Sequence, residues 1–243
     1  MFEFKIPKII TVCNYGYTDY TLNLYESMKK CNDNQILDNF ICVCFDEKSS
    51  QKMTSHNINN ILWKNDNVSE ETKKYGKDGW IDMMIAKMNA IHYFLKKNED
   101  IILTDGDIVW FKNPIPYIKS ALEFHHKNKS HPEMLFQVDS KYDQNSICLC
   151  GGFYYCKSTE NTIELFNTKN LDKNVYQKEQ PYLNDFIFKN KIPINILDRN
   201  LFPNGSYWYE YYNKIKNDCF IVHFNWTKED KKDVMKRYNL YYI

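Results

Sequence analysis

Two aspartates one residue apart, Asp105 and Asp107, follow the run Ile101-Ile102-Leu103-Thr104. Two carboxylates on a tight turn offer hard oxygen ligands of the kind Mg²⁺ or Mn²⁺ prefers. A cation held there would neutralise a diphosphate and stabilise it as a leaving group. The apolar run reads as a buried strand, and its end delivers both acids to the sheet edge where α/β proteins bind ligands. Gly106 between them permits the turn and a close phosphate approach. A surface turn with two acids is the plain alternative, since Asp-Gly is common in turns. The immediate return to apolar sequence at Ile108-Val109-Trp110-Phe111 favours the metal.

Other reactive side chains carry weaker signals. Cys42 and Cys44 alternate on one apparent strand, as do Cys148 and Cys150, so each pair shares a strand face. Buried free thiols are the expectation; a zinc site built from the two pairs is the alternative, at odds with the wider spacing of structural zinc ligands. His56, His92, His125, His126 and His131 read as surface or loop residues. The 32 basic and 31 acidic side chains nearly cancel, which argues against a nucleic-acid partner. Lysines do crowd near the C-terminus, at Lys228, Lys231, Lys232 and Lys236 with Arg237. A helix there would show one basic face, to a phosphate or simply to solvent. The first residues lack a signal-peptide run, and no apolar run is long enough to span a bilayer. The chain therefore reads as soluble and cytoplasmic. Tyrosine is abundant, 19 against five tryptophans, and suits sugar or base contacts, although a biased genome would give the same composition.

Strand-like and helix-like segments alternate from end to end, the pattern of an α/β domain. Residues Lys8 to Cys13 form a first strand that ends at the turn Asn14-Tyr15-Gly16-Tyr17. Thr18 caps a helix running to about Lys30. Phe40 to Phe45 is a second buried strand, followed by a helix and a short strand at Asn60 to Trp63. From Asp78 to Lys97 the residues Ile81, Met84, Ile85, Met88, Ile91 and Leu95 recur at helical steps, and Lys87 flanks that core stripe. Further strands are expected at Met134 to Val138, Ile147 to Tyr155, Pro193 to Leu197 and Cys219 to Phe224, before a terminal helix. Phe202 to Ser206 reads as loop, and Tyr207, Trp208 and Tyr209 after it as exposed aromatics forming an acceptor platform, or as a packed loop.

The segment from Ile102 to Pro114 resembles the Asp-x-Asp segment of the nucleotide-diphospho-sugar transferase family with the GT-A fold. Further matches follow in order: Lys87 on the preceding helix, Leu149-Cys150-Gly151-Gly152-Phe153-Tyr154, Glu179-Gln180-Pro181-Tyr182-Leu183-Asn184, and His223-Phe224-Asn225-Trp226 with Lys228. The sequence departs from the family pattern at three points. An Asn-Ser pair is replaced before Gly151, Glu179 stands for Asp, and no Gly precedes Lys228.

The resemblance implies one GT-A (Rossmann-like) domain over residues 1–243, with a mixed, mostly parallel sheet flanked by helices. It makes His223 a third metal ligand beside Asp105 and Asp107, where a lone histidine would otherwise read as structural, and implies Mn²⁺ or Mg²⁺ as cofactor. The donor, expected to be a UDP-sugar, would contact Thr11, Asn14, Tyr15, Lys87, Thr104, Asp105, Gly151, Gly152, Asn225 and Lys228. Tyr15 would stack on the base, Asn14 bond its edge and Lys228 bind the diphosphate; ordinary turn chemistry is the alternative for the first two. Gln180, with Glu179 beside it, would face the reacting sugar, and the acceptor would be a carbohydrate or glycosylated molecule; Asp139, at the end of an apparent strand, would bind an acceptor or donor hydroxyl or equally cap a loop. Retention of configuration is implied, since most family members retain it. Two other readings stay open. Asp105-Gly106-Asp107-Ile108-Val109 also fits the nucleophile motif of haloacid-dehalogenase-like phosphatases, though the long α/β segment before it does not. A catalytically inactive GT-A binding module is the other.

Overall fold

The computed structural model describes residues 2–72, 79–140 and 148–243. Asp78 and Ile147, where sequence reasoning starts one helix and one strand, lie outside the described residues. Strand β1 (Lys8–Cys13) leads through a 3-10 turn into α1 (Thr18–Lys29). Asn14 caps the 3-10 turn, so Thr18 is the first helical residue instead of the cap. Helix α2 (Asn34–Asn39), strand β2 (Phe40–Cys44), helix α3 (Glu47–Ser55) and strand β3 (Asn60–Leu62) follow. Helix α4 (Trp80–Lys96) carries the Met-rich stripe, and β4 (Ile101–Thr104) and β5 (Ile108–Trp110) flank the two aspartates. Next come α5 (Ile115–Lys127), β6 (Met134–Val138), β7 (Leu149–Cys156), α6 (Glu160–Leu165) and α7 (Glu179–Lys189). The described chain closes with β8 (Ile194–Ile196), α8 (Gly205–Ile215), β9 (Ile221–His223) and α9 (Lys231–Arg237).

Seven strands form one sheet in the order β3-β2-β1-β4-β7-β6-β8, parallel except where β7 runs against β4 and β6. Successive strand residues point to opposite faces. Ile10 and Leu103 therefore join the core under α4, with Met84, Met88, Ile91 and Leu95. Ile9 and Ile102 join the opposite core, with Leu24 and Met28 of α1. Because helices cover both faces, the central strands read as unbroken apolar runs.

A third core belongs to a two-stranded sheet of β5 and β9, so the strand expected at Cys219 to Phe224 pairs outside the main sheet. The segment read as loop and exposed aromatics is α8, capped by Asn204, whose side chain accepts from Tyr207 N. Trp208 is buried in the third core against Phe111, which removes it as an acceptor platform. Cys42 and Cys44 are buried, with their sulfurs 3.7 Å apart. The strands bearing the two cysteine pairs are separated by β1 and β4, so the pairs do not converge on a zinc ion. His92 sits half-buried within α4, not in a loop.

Candidate active site

Strand β4 ends at Thr104, but Asp105 N still donates to Gly152 O at 2.8 Å, extending the ladder with β7 by one bond. Gly106 and Asp107 then make the turn into β5. The β5–β9 register sets Ile108 opposite His223, and Phe224 N donates to Asp107 O at 3.0 Å. That pairing carries His223 across more than a hundred residues of sequence to Asp107. His223 Nε2 lies 3.3 Å from Asp107 Oδ1. Potential ligand atoms of Asp105, Asp107 and His223 all fall within 4.8 Å of one another.

Hydrogen bonds behind His223 fix which imidazole nitrogen faces the acids. The buried Gln137 donates through Nε2 to the carbonyls of Phe202 and Pro203. Its Oε1 must therefore point the other way, 3.1 Å from His223 Nδ1, and there accept the Nδ1 proton. Nε2 is left to present a lone pair or a second proton toward Asp107. Cys150 Sγ lies 3.4 Å from the same Nδ1 and accepts from Gly152 N. Burial opposes charge on His223, but Asp107 and Cys150 together more than offset it and hold the imidazole well above its ordinary pKa. Burial would likewise raise Asp107, yet Lys231 and His223 beside it hold the carboxyl well below the usual range.

The donor set fits a hard divalent cation: two carboxylates and an imidazole whose outer nitrogen is already committed to a partner. Space is kept for it by Gly152. A Cβ there would stand 2.4 Å from His223 Cε1 and 2.8 Å from Asp105 Oδ2.

Two lysines pair with these acids. Lys87, 2% exposed, donates to Asp105 Oδ1 at 2.9 Å and Gly151 O at 2.8 Å, and lies 3.3 Å from Glu179 Oε2. Burial pushes Glu179 up to about 7 against the opposing pull of Lys87, and its Oε1 is buried with no hydrogen-bond partner among the described residues. Lys231, at the start of α9, donates to Asp107 Oδ2. In the sequence it was one member of a basic run; in the structure it is the lysine paired with an acid of the site. Lys228 lines the cleft two positions before the α9 cap Asp230.

Gln180, at the start of α7, is tied at both ends. Its Oε1 accepts from Gly151 N at 3.1 Å, while Nε2 donates to Asp139 Oδ2 at 2.9 Å and lies 3.3 Å from Cys148 Sγ. Asp139 Oδ1 accepts from Asn225 Nδ2 and Trp226 Nε1, each at 2.7 Å. One cleft of about 1200 Å³ gathers Asn14, Lys87, Asp105, Asp107, Asp139, Gly151, Gly152, Glu179, Gln180, His223, Asn225 and Lys228. Thr11, Tyr15 and Thr104 are not among the described residues that line it. Thr11 is buried in β1, and the Thr104 hydroxyl accepts from Trp110 Nε1. Tyr15 is exposed, with Lys48 over its ring. The Asn14 amide donates to the carbonyls of Ser69 and Glu71, so its edge already holds the adjacent segment. Gln137 and Trp226 had no role from the sequence alone, and Cys150 only that of a buried thiol or zinc ligand. Gln137 and Cys150 are strand residues whose partners come from distant segments, and only the side-chain bonds reveal them.

A mixed sheet with one antiparallel strand and an Asp-x-Asp turn at its carboxyl edge defines a GT-A glycosyltransferase. The chain belongs to the nucleotide-diphospho-sugar transferase family, whose model matches residues 35–237. It is 25% identical to a UDP-galactose:fucoside alpha-3-galactosyltransferase of Dictyostelium discoideum, covering 97% of this chain and 43% of that protein. It is 22% identical to a beta-arabinofuranosyltransferase of Arabidopsis thaliana, covering 94% of this chain and 46% of that one. The chain thus spans less than half the length of these two relatives. Among solved structures, an active-site mutant of LgtC superimposes with a TM-score of 0.60 at 11% identity, covering 95% of this chain and 93% of that one. The glycosyltransferase GlyE of Streptococcus pneumoniae gives 0.58 at 13% identity, covering 93% and 55%. These likenesses exclude the phosphatase reading. No helix among the described residues is long and apolar enough to cross a membrane.

Proposed function

We propose that this chain is one GT-A domain that transfers a sugar from a UDP-sugar to a carbohydrate hydroxyl, with a divalent metal and with retention of configuration. The convergence of Asp105, Asp107 and His223 on one point carries the reading. These residues would hold Mn²⁺ or Mg²⁺, which when bound neutralises the diphosphate as it leaves. Lys231 supplies positive charge at the same acids, and Lys228 lies on the cleft wall for the phosphates. Lys87 holds Asp105 in place and neutralises part of the buried charge of Glu179. A UDP-galactose-dependent enzyme among the relatives supports the choice of UDP.

Retention is favoured by what the carboxylates near Gln180 are doing. An inverting transfer needs a carboxylate base on the acceptor hydroxyl. Asp139 spends its oxygens on Gln180, Asn225 and Trp226, and Glu179 is buried against Lys87. Gln180 is a neutral amide in a fixed orientation, able to steady positive charge at the anomeric carbon by its dipole.

Calorimetry with UDP and Mn²⁺ tests the metal reading. Asp107→Ala should abolish Mn²⁺-dependent UDP binding while the melting temperature stays within a few degrees; unchanged affinity would sink the assignment. Release of nucleotide diphosphate from a panel of nucleotide sugars, with and without chelator, then identifies the donor. No release from any of them would favour the inactive binding module.

A further inference from the structure

Trp226 is 50% exposed on the cleft wall, whereas Trp110 and Trp208 are buried and Trp63 and Trp80 half-buried. Its backbone sits at φ 59°, a left-handed conformation that a bulky residue adopts only when its surroundings impose it. Asn225 imposes it. The Asn225 side chain accepts from Gly205 N at 2.8 Å and donates to Asp139, and its carbonyl accepts from the Tyr209 hydroxyl at 3.3 Å. Gly205 is what allows this approach, because a Cβ there would lie 2.0 Å from Asn225 O. The indole is then pinned by its own N–H on Asp139 Oδ1. Backbone and ring edge are both fixed while the apolar ring surface stays available to the cleft. Such rigidity costs little further entropy on binding.

We infer that Trp226 is the platform on which the acceptor stacks, and that the acceptor presents a sugar ring there. This rests on the glycosyltransferase reading of the cleft. A sugar offers one apolar C–H face and a rim of hydroxyls. One aromatic plane beside Asp139 and Ser140 matches that mixture. Position favours acceptor over donor. Asp139 holds Trp226 with one oxygen and Gln180 with the other, so the ring lies one carboxylate away from the residue assigned to the reacting carbon. Of the cations suited to a diphosphate, Lys87 and Lys231 are held against Asp105 and Asp107.

The test is retention on a glycan array by the full chain loaded with UDP and Mn²⁺. Wild type should retain a defined group of glycans. Trp226→Ala should weaken that retention about tenfold or more, the scale of an aromatic hot spot. Trp226→Phe, which keeps a ring, should restore most of it. Should Trp226→Ala fail to fold, hydroxyl-radical footprinting of wild type must show Trp226 protected by a retained glycan. Undiminished retention by Trp226→Ala, an unprotected Trp226, or no glycan retained by wild type overturns the inference. So does a Trp226→Phe variant that loses UDP affinity and keeps glycan binding, which would place the ring on the donor. A wild type that neither binds UDP with Mn²⁺ nor releases it from any nucleotide sugar overturns the parent reading as well, and is recognisable as that failure.

Discussion

Gln180 and Gln137 are neutral amides with opposite tasks, and hydrogen bonds set both. Gln180 is oriented by Gly151 N on its oxygen and Asp139 on its nitrogen, so its dipole is fixed before substrate arrives. Preorganised dipoles act on charge that develops during reaction more than on the bound ground state. Gln180→Ala should therefore slow turnover by roughly ten- to a thousandfold, with UDP affinity little changed; steady-state kinetics beside donor titration checks it. Loss of affinity with turnover intact would make Gln180 a binding residue. Gln137 lies behind His223, where it holds the Nδ1 proton and leaves Nε2 toward Asp107. Partners of this kind tune ligand basicity, and losing one costs about 10- to 100-fold in metal affinity. Gln137→Leu should weaken Mn²⁺ binding on that scale when free Mn²⁺ is followed by electron paramagnetic resonance in the presence of UDP. Equal affinity in variant and wild type would reduce Gln137 to a packing residue.

Strand β7 supplies the wall of the site, and its glycines keep that wall thin. Gly152→Ala would drive a methyl into His223 and Asp105 together, so both side chains must leave their positions. The expected result is loss of Mn²⁺-dependent UDP binding in a protein whose circular dichroism is unchanged. Full binding in this variant would mean that the metal ligands are not those three residues. Element by element, the sequence spoke clearly where burial is two-sided. The runs at Lys8–Cys13, Ile101–Thr104 and Met134–Val138 are the strands read from the sequence, and the Met-rich stripe is α4 to within two residues at its start. It was silent on pairing. Nothing local in Ile221-Val222-His223 says that it joins β5 outside the main sheet, and only that pairing carries the unaided histidine to Asp107. Helix α8 was missed because its Tyr-Trp-Tyr run looks like loop chemistry. Asn204, three residues before Tyr207, was the available cap signal. Asp230 was the matching signal that would have phased the C-terminal lysines and separated Lys231 from Lys228.

Across the whole molecule, the C-terminal helix is fastened over the cleft by two adjacent lysines that face different partners. Lys231 reaches Asp107 in the site, while Lys232 bonds Asp19 of α1 at 2.7 Å. Lys52 of α3 bonds the other Asp19 oxygen at 2.9 Å, so one carboxylate ties α1, α3 and α9 together. The hydrogen bonds from Lys232 and Lys52 hold the Asp19 carboxyl below its usual pKa. The sign of the stability effect follows. A carboxyl depressed on folding contributes stability fully above its unfolded pKa, about 3.9, and loses it as pH falls through the lower native value. Asp19 is partly open to water, which screens the pairs, so the effect is small. At pH 7, Asp19→Asn should lower the melting temperature by no more than about 2 °C. That difference should hold down to about pH 4 and shrink below it, because the wild-type carboxyl then protonates and the two proteins become alike. UDP affinity at pH 7 should fall by at most about fivefold, the scale of an exposed ion pair, as α9 loosens over the cleft. Melting curves of both proteins from pH 7 to pH 3 measure the first effect and calorimetry the second. A melting difference that persists undiminished at pH 3 would show that Asp19 acts through packing and not through its charge.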